Sequence, residues 1–258
     1  MPKFAANLSM LFTELDFLDR FEAAANAGFE AVEFLFPYDF PAEQIAARLQ
    51  QHGLIQALFN LPPGEWASGE RGLTGLPGRE AEFETSVETA LQYADALGCV
   101  RLHAMAGIPG DDASAEATYV RNVQYAADRV AESGRSILLE PINPYDMPGY
   151  LLGSVRQVLR LLDTVDRDNV RLQLDLYHAQ ITDGDVTRLI GQVIDRVGHV
   201  QIAGVPHRHE PDTGELNYPF VLNALDETGY DGWVGCEYHP ATETVSGLGW
   251  LETYRAGR

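Results

Sequence analysis

Residues 136–140 have the sequence SILLE, a short apolar run that ends in a carboxylate. A strand of a parallel sheet that helices cover on both faces is apolar at nearly every position. Ile137, Leu138 and Leu139 fit that description, whereas an ionisable residue directly after them does not belong to a core. The segment therefore predicts a central strand of a parallel α/β protein, with Glu140 at the carboxyl end of the sheet.

Seven further apolar runs recur along the chain, and stretches with helical period separate them. The eight runs lie at residues 4–10, 31–36, 54–60, 99–105, 136–142, 170–176, 199–203 and 233–238. Helical period is clear where Phe83, Val87, Leu91 and Ala94 share one face, and it predicts a second continuous face over 186–197. Eight strand-helix units predict a single-domain (β/α)8 TIM barrel over residues 1–258. A doubly wound open sheet is the alternative, weakened because no GxGxxG follows the first run.

The composition is that of an acidic globular protein. The chain has 18 Lys and Arg against 38 Asp and Glu, which gives a net charge of −20. Such a surface repels phosphate, so neither nucleic acid nor an anionic membrane is an expected partner. The N-terminus lacks a long apolar stretch, and Cys99 and Cys236 have no CxxC spacing, so we expect a cytoplasmic protein with reduced thiols.

Two long segments without clear period, 61–78 and 204–218, follow predicted strands. In a (β/α)8 barrel the loops that follow strands form the catalytic face. The first contains five glycines together with Trp66 and Arg71, which predicts a mobile lid with an aromatic plug. An irregular connector is the alternative.

Four polar residues stand at the ends of successive apolar runs, about one strand-helix unit apart: Glu140, Asp175, Gln201 and Glu237. On the fifth to eighth strands of a barrel they converge over one half of its mouth. Three carboxylates in a dry pocket repel one another unless they are protonated or share a cation. An all-oxygen donor set favours Mg²⁺ or Mn²⁺ over Zn²⁺. The alternative is that each residue caps the helix that follows it.

Three more residues are candidate substrate contacts. His178 follows Asp175 by three positions, and His103 lies near the end of the fourth run. Arg208, in the loop after Gln201, is a candidate clamp for a carboxylate or hydroxyl. The alternatives are structural histidines and a surface ion pair of Arg208 with an acid of its own loop.

Several motifs in this order resemble the hydroxypyruvate isomerase family of xylose isomerase-like barrels. They are FAANLSM (4–10), AVEFLFPY (31–38), LPGRE (76–80), QLDLYH (173–178), HVQIAG (199–204), RHEPD (208–212) and GCEY (235–238). The resemblance implies that Glu140, Asp175, Gln201 and Glu237 are metal ligands, that Glu140 and Glu237 also act as acid and base, and that His178 and Arg208 contact substrate. His239 departs from the family, which often has Lys after the Glu-Tyr pair.

The resemblance implies an enzyme that interconverts hydroxypyruvate and tartronate semialdehyde through an enediolate. It also implies a divalent cation as cofactor and a small keto acid as partner. A 2-oxo-tetronate isomerase of the same branch is the alternative, and which glutamate is the base stays open. A sugar epimerase or inosose-type lyase could use the same metal cluster. A metal-dependent endonuclease would need more histidine ligands and a basic track, and a binding protein would not need a paired acid and base. Self-association is left open.

Overall fold

The computed structural model describes residues 1–255, in which eight parallel strands close into a barrel in chain order. Pairing of the first strand with the eighth closes the barrel. Each strand lies within or beside one of the eight apolar runs, so the predicted fold class is confirmed. The strands are β1 (Lys3–Asn7), β2 (Ala31–Glu33), β3 (Ile55–Asn60), β4 (Arg101–His103), β5 (Ser136–Leu139), β6 (Val170–Asp175), β7 (Val197–Ile202) and β8 (Trp233–Cys236).

Helices follow the strands, and the longer helices bury one apolar face each. They are α1 (Arg20–Asn26), α2 (Ala42–His52), α3 (Glu80–Leu97), α4 (Ala115–Ala131), α5 (Val155–Val165), α6 (Leu176–Thr182), α7 (Val186–Val193), α8 (Tyr218–Glu227), α9 (Thr244–Gly247) and α10 (Gly249–Arg255). In α3 the predicted stripe buries Phe83, Val87 and Ala94. The continuous helical face predicted over 186–197 is wrong at its end, because α7 stops at Val193 and Val197 already begins β7. Within the described residues no helix is both long and apolar enough to span a bilayer.

The strand register brings polar residues to one level of the barrel. Asp175 pairs with Gln201, and Gln201 pairs with Gly235, across three neighbouring strands. Gly235 is required there, since a Cβ atom at this position would lie 2.3 Å from Oε2 of Glu33. Because glycine has no side chain, position 235 leaves room for the buried carboxylate of Glu33 inside the barrel.

The segment between β3 and α3 is irregular except for a short 3-10 turn at Trp66–Ser68. Gly72 holds it close to the loop after β4: its φ is +115°, and a Cβ atom would lie 2.2 Å from the carbonyl oxygen of Met105. The hydroxyl of Thr74 donates to the same oxygen at 2.8 Å. Trp66 and Arg71 of this segment line the cavity described below, and its mobility and covering role stay predictions.

Candidate active site

Glu140, Asp175 and Glu237 come together at the carboxyl end of the barrel, as predicted. All three are buried, and Glu140 and Glu237 line a cavity of about 220 Å³. One ligand atom each of Glu140, Asp175 and His178 lies within 4.8 Å of the others. The interpretation of these acids as independent helix caps is therefore wrong for the group, although Asp175 also caps α6 through the N–H of Tyr177 at 2.8 Å.

Burial makes these acids hard to ionise. It raises the pKa of Glu140 well above its usual range, and the charges of Glu237 and Asp175 raise it further. Burial also raises the pKa of Glu237 to about 8 and that of Asp175 to about 6, although Arg208 opposes both shifts. In addition, Oε1 of Glu140 is buried without a hydrogen-bond partner among the described residues. A divalent cation would stabilise the ionised acids and engage this oxygen, so the donor set fits one.

Gln201 lies beside Glu237, but its amide nitrogen faces the carboxylate. Nε2 of Gln201 donates to Oε1 of Glu33 at 2.8 Å and also contacts Oε2 of Glu237. Its Oε1 accepts a hydrogen bond from Nε2 of Gln173 at 2.7 Å. Ligation through Oε1 would require the side-chain amide to turn, so Gln201 as a metal ligand stays a prediction.

The contacts of His178 assign its tautomer. Oδ1 of Asn143 accepts the backbone N–H groups of Tyr145 and Asp146, each at 3.0 Å, so Nδ2 of Asn143 must donate to Nδ1 of His178 at 2.7 Å. Burial lowers the pKa of His178 well below its usual range, so the ring is neutral and carries its hydrogen on Nε2. That hydrogen faces Oδ2 of Asp175 at 3.5 Å. In this tautomer His178 is a donor, which fits the predicted substrate contact rather than a metal ligand.

His103 sits at the end of β4 on the same cavity. Its Nδ1 lies 3.3 Å from Oδ1 of Asn60 and 3.5 Å from Oε2 of Glu140. Burial lowers the pKa of His103 to about 3, so the ring is neutral at physiological pH. Its Nε2 is buried without a partner among the described residues, which leaves it available to a substrate oxygen.

Arg208 points into the acid cluster rather than to the surface. Its backbone is in the left-handed region at φ +56°, and its N–H and carbonyl are fixed by Gly204 and His239 at 2.7 and 2.9 Å. The guanidinium donates to Oε1 of Glu237 at 2.9 Å and to Oδ2 of Asp146 at 3.1 Å, with only 16% of the side chain exposed. The alternative of an ion pair within its own loop is therefore wrong.

Three residues of the site were not singled out from sequence as functional: Glu33, Asn143 and Asp146. Arg71 was predicted only as part of a lid, and the structure places it on the cavity. Glu33 carried a detectable signal, because it is an acid inside the second apolar run. Asn143 and Asp146 lie in loops, where polar residues are ordinary. Their roles depend on contacts that only the folded chain creates.

The fold and the site together define a class. A family model described as xylose isomerase-like TIM barrel matches residues 21–254. The chain is thus a xylose isomerase-like TIM barrel.

Full-length relatives narrow this class. The 2-oxo-tetronate isomerase of Cupriavidus necator is 52% identical over 98% of this chain and 99% of its own length. The hydroxypyruvate isomerase of Escherichia coli is 46% identical over 99% of this chain and 100% of its own. A crystal structure from Brucella melitensis, described as AP endonuclease, family 2, is 55% identical with a TM-score of 0.97 over 98% of this chain and 99% of its own. The chain belongs to the hydroxypyruvate isomerase family, which includes the 2-oxo-tetronate isomerases, and it is an isomerase.

Proposed function

We propose that the chain isomerises a small 2-oxo acid that carries a hydroxyl group on C3, moving the carbonyl between C2 and C3. Hydroxypyruvate and 2-oxo-tetronate share this arrangement. The observation that carries the proposal is the pair Glu140 and Glu237, two buried carboxyls on one cavity. Relatives named 2-oxo-tetronate isomerase, at 49–52% identity, favour the four-carbon substrate over the three-carbon one.

The reaction needs two proton transfers at carbon and no net redox change. One of Glu140 and Glu237 removes the proton from C3, and the other delivers a proton to C2, while the hydroxyl proton passes from the C3 oxygen to the C2 oxygen. A carboxylate that binds a cation stays ionised near neutral pH and can act as the base, whereas its partner must hold a proton transiently. Which glutamate is the base is not assigned.

Three polar groups at the cavity would bind the oxygens and the hydroxyl group of the substrate. Nε2–H of His178 and the free Nε2 of His103 face the cavity, and the guanidinium of Arg208 lies beside Glu237. We propose that these groups hold the C2 and C3 oxygens between the two glutamates. Burial of the acids keeps bulk water from the enediolate.

The residues fit a Mg²⁺ or Mn²⁺ ion, which Glu140, Asp175 and Glu237 would hold with Gln201. When bound, the ion supplies a Lewis acid that stabilises negative charge on the substrate oxygens. A cytoplasmic location and a small keto acid as the partner stay predictions, and self-association stays open.

Product analysis by NMR tests the proposal. Purified protein with Mg²⁺ or Mn²⁺ is incubated separately with hydroxypyruvate, 2-oxo-tetronate and an uncharged ketose such as D-fructose. We expect carbonyl migration in at least one 2-oxo acid and no change in the ketose. Epimerisation of the ketose without turnover of either acid would establish a sugar epimerase instead. The net charge of −20 argues against the endonuclease activity for which the Brucella melitensis protein is named.

A further inference from the structure

A second arginine faces the cavity from the segment after β3. Arg71 lines the same cavity as Glu140, His178 and Arg208. Its Nη1 donates to the carbonyl oxygens of Trp66 and Glu70, at 3.0 and 2.8 Å. Among the described residues no carboxylate oxygen lies within 4.0 Å of its guanidinium. Its positive charge is therefore not neutralised by an ion pair with any residue that the structure describes.

Arg208 is in the opposite situation. Its guanidinium contacts Glu237 at 2.9 Å, Asp146 at 3.1 Å and Asp175 at 3.5 Å. A substrate carboxylate at Arg208 would have to compete with these acids and would add negative charge beside them. Arg71 accepts such a carboxylate without losing an ion pair.

Hydrogen bonds and an ion pair anchor the chain on both sides of Arg71 and position its guanidinium at the cavity. The carboxylate of Glu70 pairs with Arg79 and accepts the backbone N–H of Glu65 at 2.7 Å. On the other side the N–H of Gly72 donates to the carbonyl oxygen of Pro63 at 2.9 Å. Ordering a side chain costs free energy on binding, and this arrangement lowers that cost.

Trp66 orients the guanidinium. Its ring centroid lies 4.0 Å from Cζ of Arg71, a cation–π stack, and the ring also packs on Phe36 with centroids 5.0 Å apart. Trp66 lines the cavity as well. The segment therefore presents a planar donor group, stacked on an aromatic ring, to the substrate space.

We propose that Arg71 binds the carboxylate of the 2-oxo acid and so selects an acid over a neutral ketose. This assignment rests on the proposed function, because it takes C2 and C3 to be held at the acid cluster and C1 to be held by Arg71. A guanidinium that offers two parallel N–H donors matches a carboxylate.

Steady-state kinetics of Arg71→Met and Arg71→Lys test the proposal. For the 2-oxo acid that the wild type turns over, Arg71→Met should lower kcat/KM about 10- to 100-fold, mostly through KM, because one charge-assisted interaction is lost. Arg71→Lys should recover part of this loss, since it keeps the charge but not the planar fork. Arg121→Met removes the same charge from an exposed site on α4 and should match the wild type.

Two small inhibitors separate the contribution of the substrate carboxylate to binding from that of the keto and hydroxyl groups. Pyruvate has the carboxylate and keto group, whereas hydroxyacetone has the keto and hydroxyl groups without a carboxylate. The inhibition constant of pyruvate should rise about 10-fold or more in Arg71→Met, and that of hydroxyacetone should stay within about two-fold. Equal inhibition constants for pyruvate in wild type and variant would overturn the assignment.

A direct binding measurement separates this assignment from the proposed function. Titration calorimetry with pyruvate needs no turnover, and thermal melting shows whether each variant is folded. If the wild type isomerises no 2-oxo acid yet binds pyruvate through Arg71, the proposed function fails and the carboxylate site stands. If the wild type turns over a 2-oxo acid and Arg71→Met and Arg71→Lys keep its KM, the assignment of Arg71 to the carboxylate is overturned and the proposed function stands.

Discussion

Glu237→Gln removes one proton-transfer group and leaves the shape of the side chain. Oε1 of Glu237 accepts from Arg208 at 2.9 Å, and a glutamine oxygen can keep this bond. Positioned acid–base groups contribute about 100- to 10,000-fold to a rate, or ~3 to 5 kcal/mol of activation free energy. We therefore expect kcat to fall by at least about 100-fold, and Glu140→Gln to have a similar effect.

The same change should leave the fold intact. Oε2 of Glu237 faces the NH2 group of Gln201, so a glutamine at this position would place two donors together. A buried donor without an acceptor costs about 1 to 3 kcal/mol, and removal of a buried acid offsets part of that cost. We expect the free energy of unfolding, measured by urea denaturation, to fall by no more than ~2 kcal/mol.

Asp146→Asn is the matched control, because Asp146 also contacts Arg208, at 3.1 Å, but is not part of the acid–base pair. It should lower kcat less than about 10-fold. Activity of Glu237→Gln within about 10-fold of the wild type, with metal bound, would refute the role of Glu237. A loss in Asp146→Asn as large as in Glu237→Gln would point to the charge balance around Arg208 instead.

EDTA should abolish turnover and Mg²⁺ or Mn²⁺ should restore it; full activity in protein that elemental analysis shows to be metal-free would contradict the cation site. Burial raises the pKa of Asp175 to about 6 and of Glu237 to about 8, so the metal-free folded state binds protons that the unfolded chain releases above about pH 4. Its melting temperature should fall as the pH rises through about 8, and Mn²⁺ should offset the loss most at the alkaline end; a flat profile would contradict these shifts. Arg208→Ala should raise the inhibition constants of hydroxyacetone and pyruvate by the same factor, because Arg208 contacts the acid cluster and not the substrate carboxylate. A rise confined to pyruvate would make Arg208 the carboxylate site. Gly235→Ala should lower the free energy of unfolding, measured by urea denaturation, by about 1 to 3 kcal/mol, since a Cβ atom would lie 2.3 Å from Oε2 of Glu33; wild-type stability would show that Glu33 moves without cost.

The barrel and its acid cluster could be predicted from sequence because both depend on local patterns. Runs such as Ile137 to Leu139 are apolar on both faces, and an acid after such a run lies at the carboxyl end of a parallel sheet. Glu140, Asp175 and Glu237 therefore come together in the structure as the strand ends require. The end of α7 at Val193 was not predictable in this way, because Val197 has the same apolar character in a helix and in a strand.

The hydrogen-bond directions within the site could not be predicted. The amide of Gln201 is turned by Glu33 on β2 and Gln173 on β6, which only barrel closure brings beside it. The tautomer of His178 follows from a turn that fixes Asn143. Arg71 could not be placed on the cavity from sequence, because its position depends on the path of the whole segment over 61–79.

Solvent deuterium incorporation tests the central claim, that two carboxyl groups move protons through an enediolate, most directly. The wild type with Mg²⁺ or Mn²⁺ is incubated in D₂O with the 2-oxo acid that it turns over, and NMR follows the carbon positions at early conversion. Because one glutamate removes the proton from C3 and the other delivers a different one to C2, the product should carry about one deuterium at C2 per turnover. Glu140→Gln and Glu237→Gln should incorporate deuterium at least about 100-fold more slowly. Product formed at the wild-type rate without deuterium at C2 would mean that hydrogen moves directly between the carbons, and it would contradict the account.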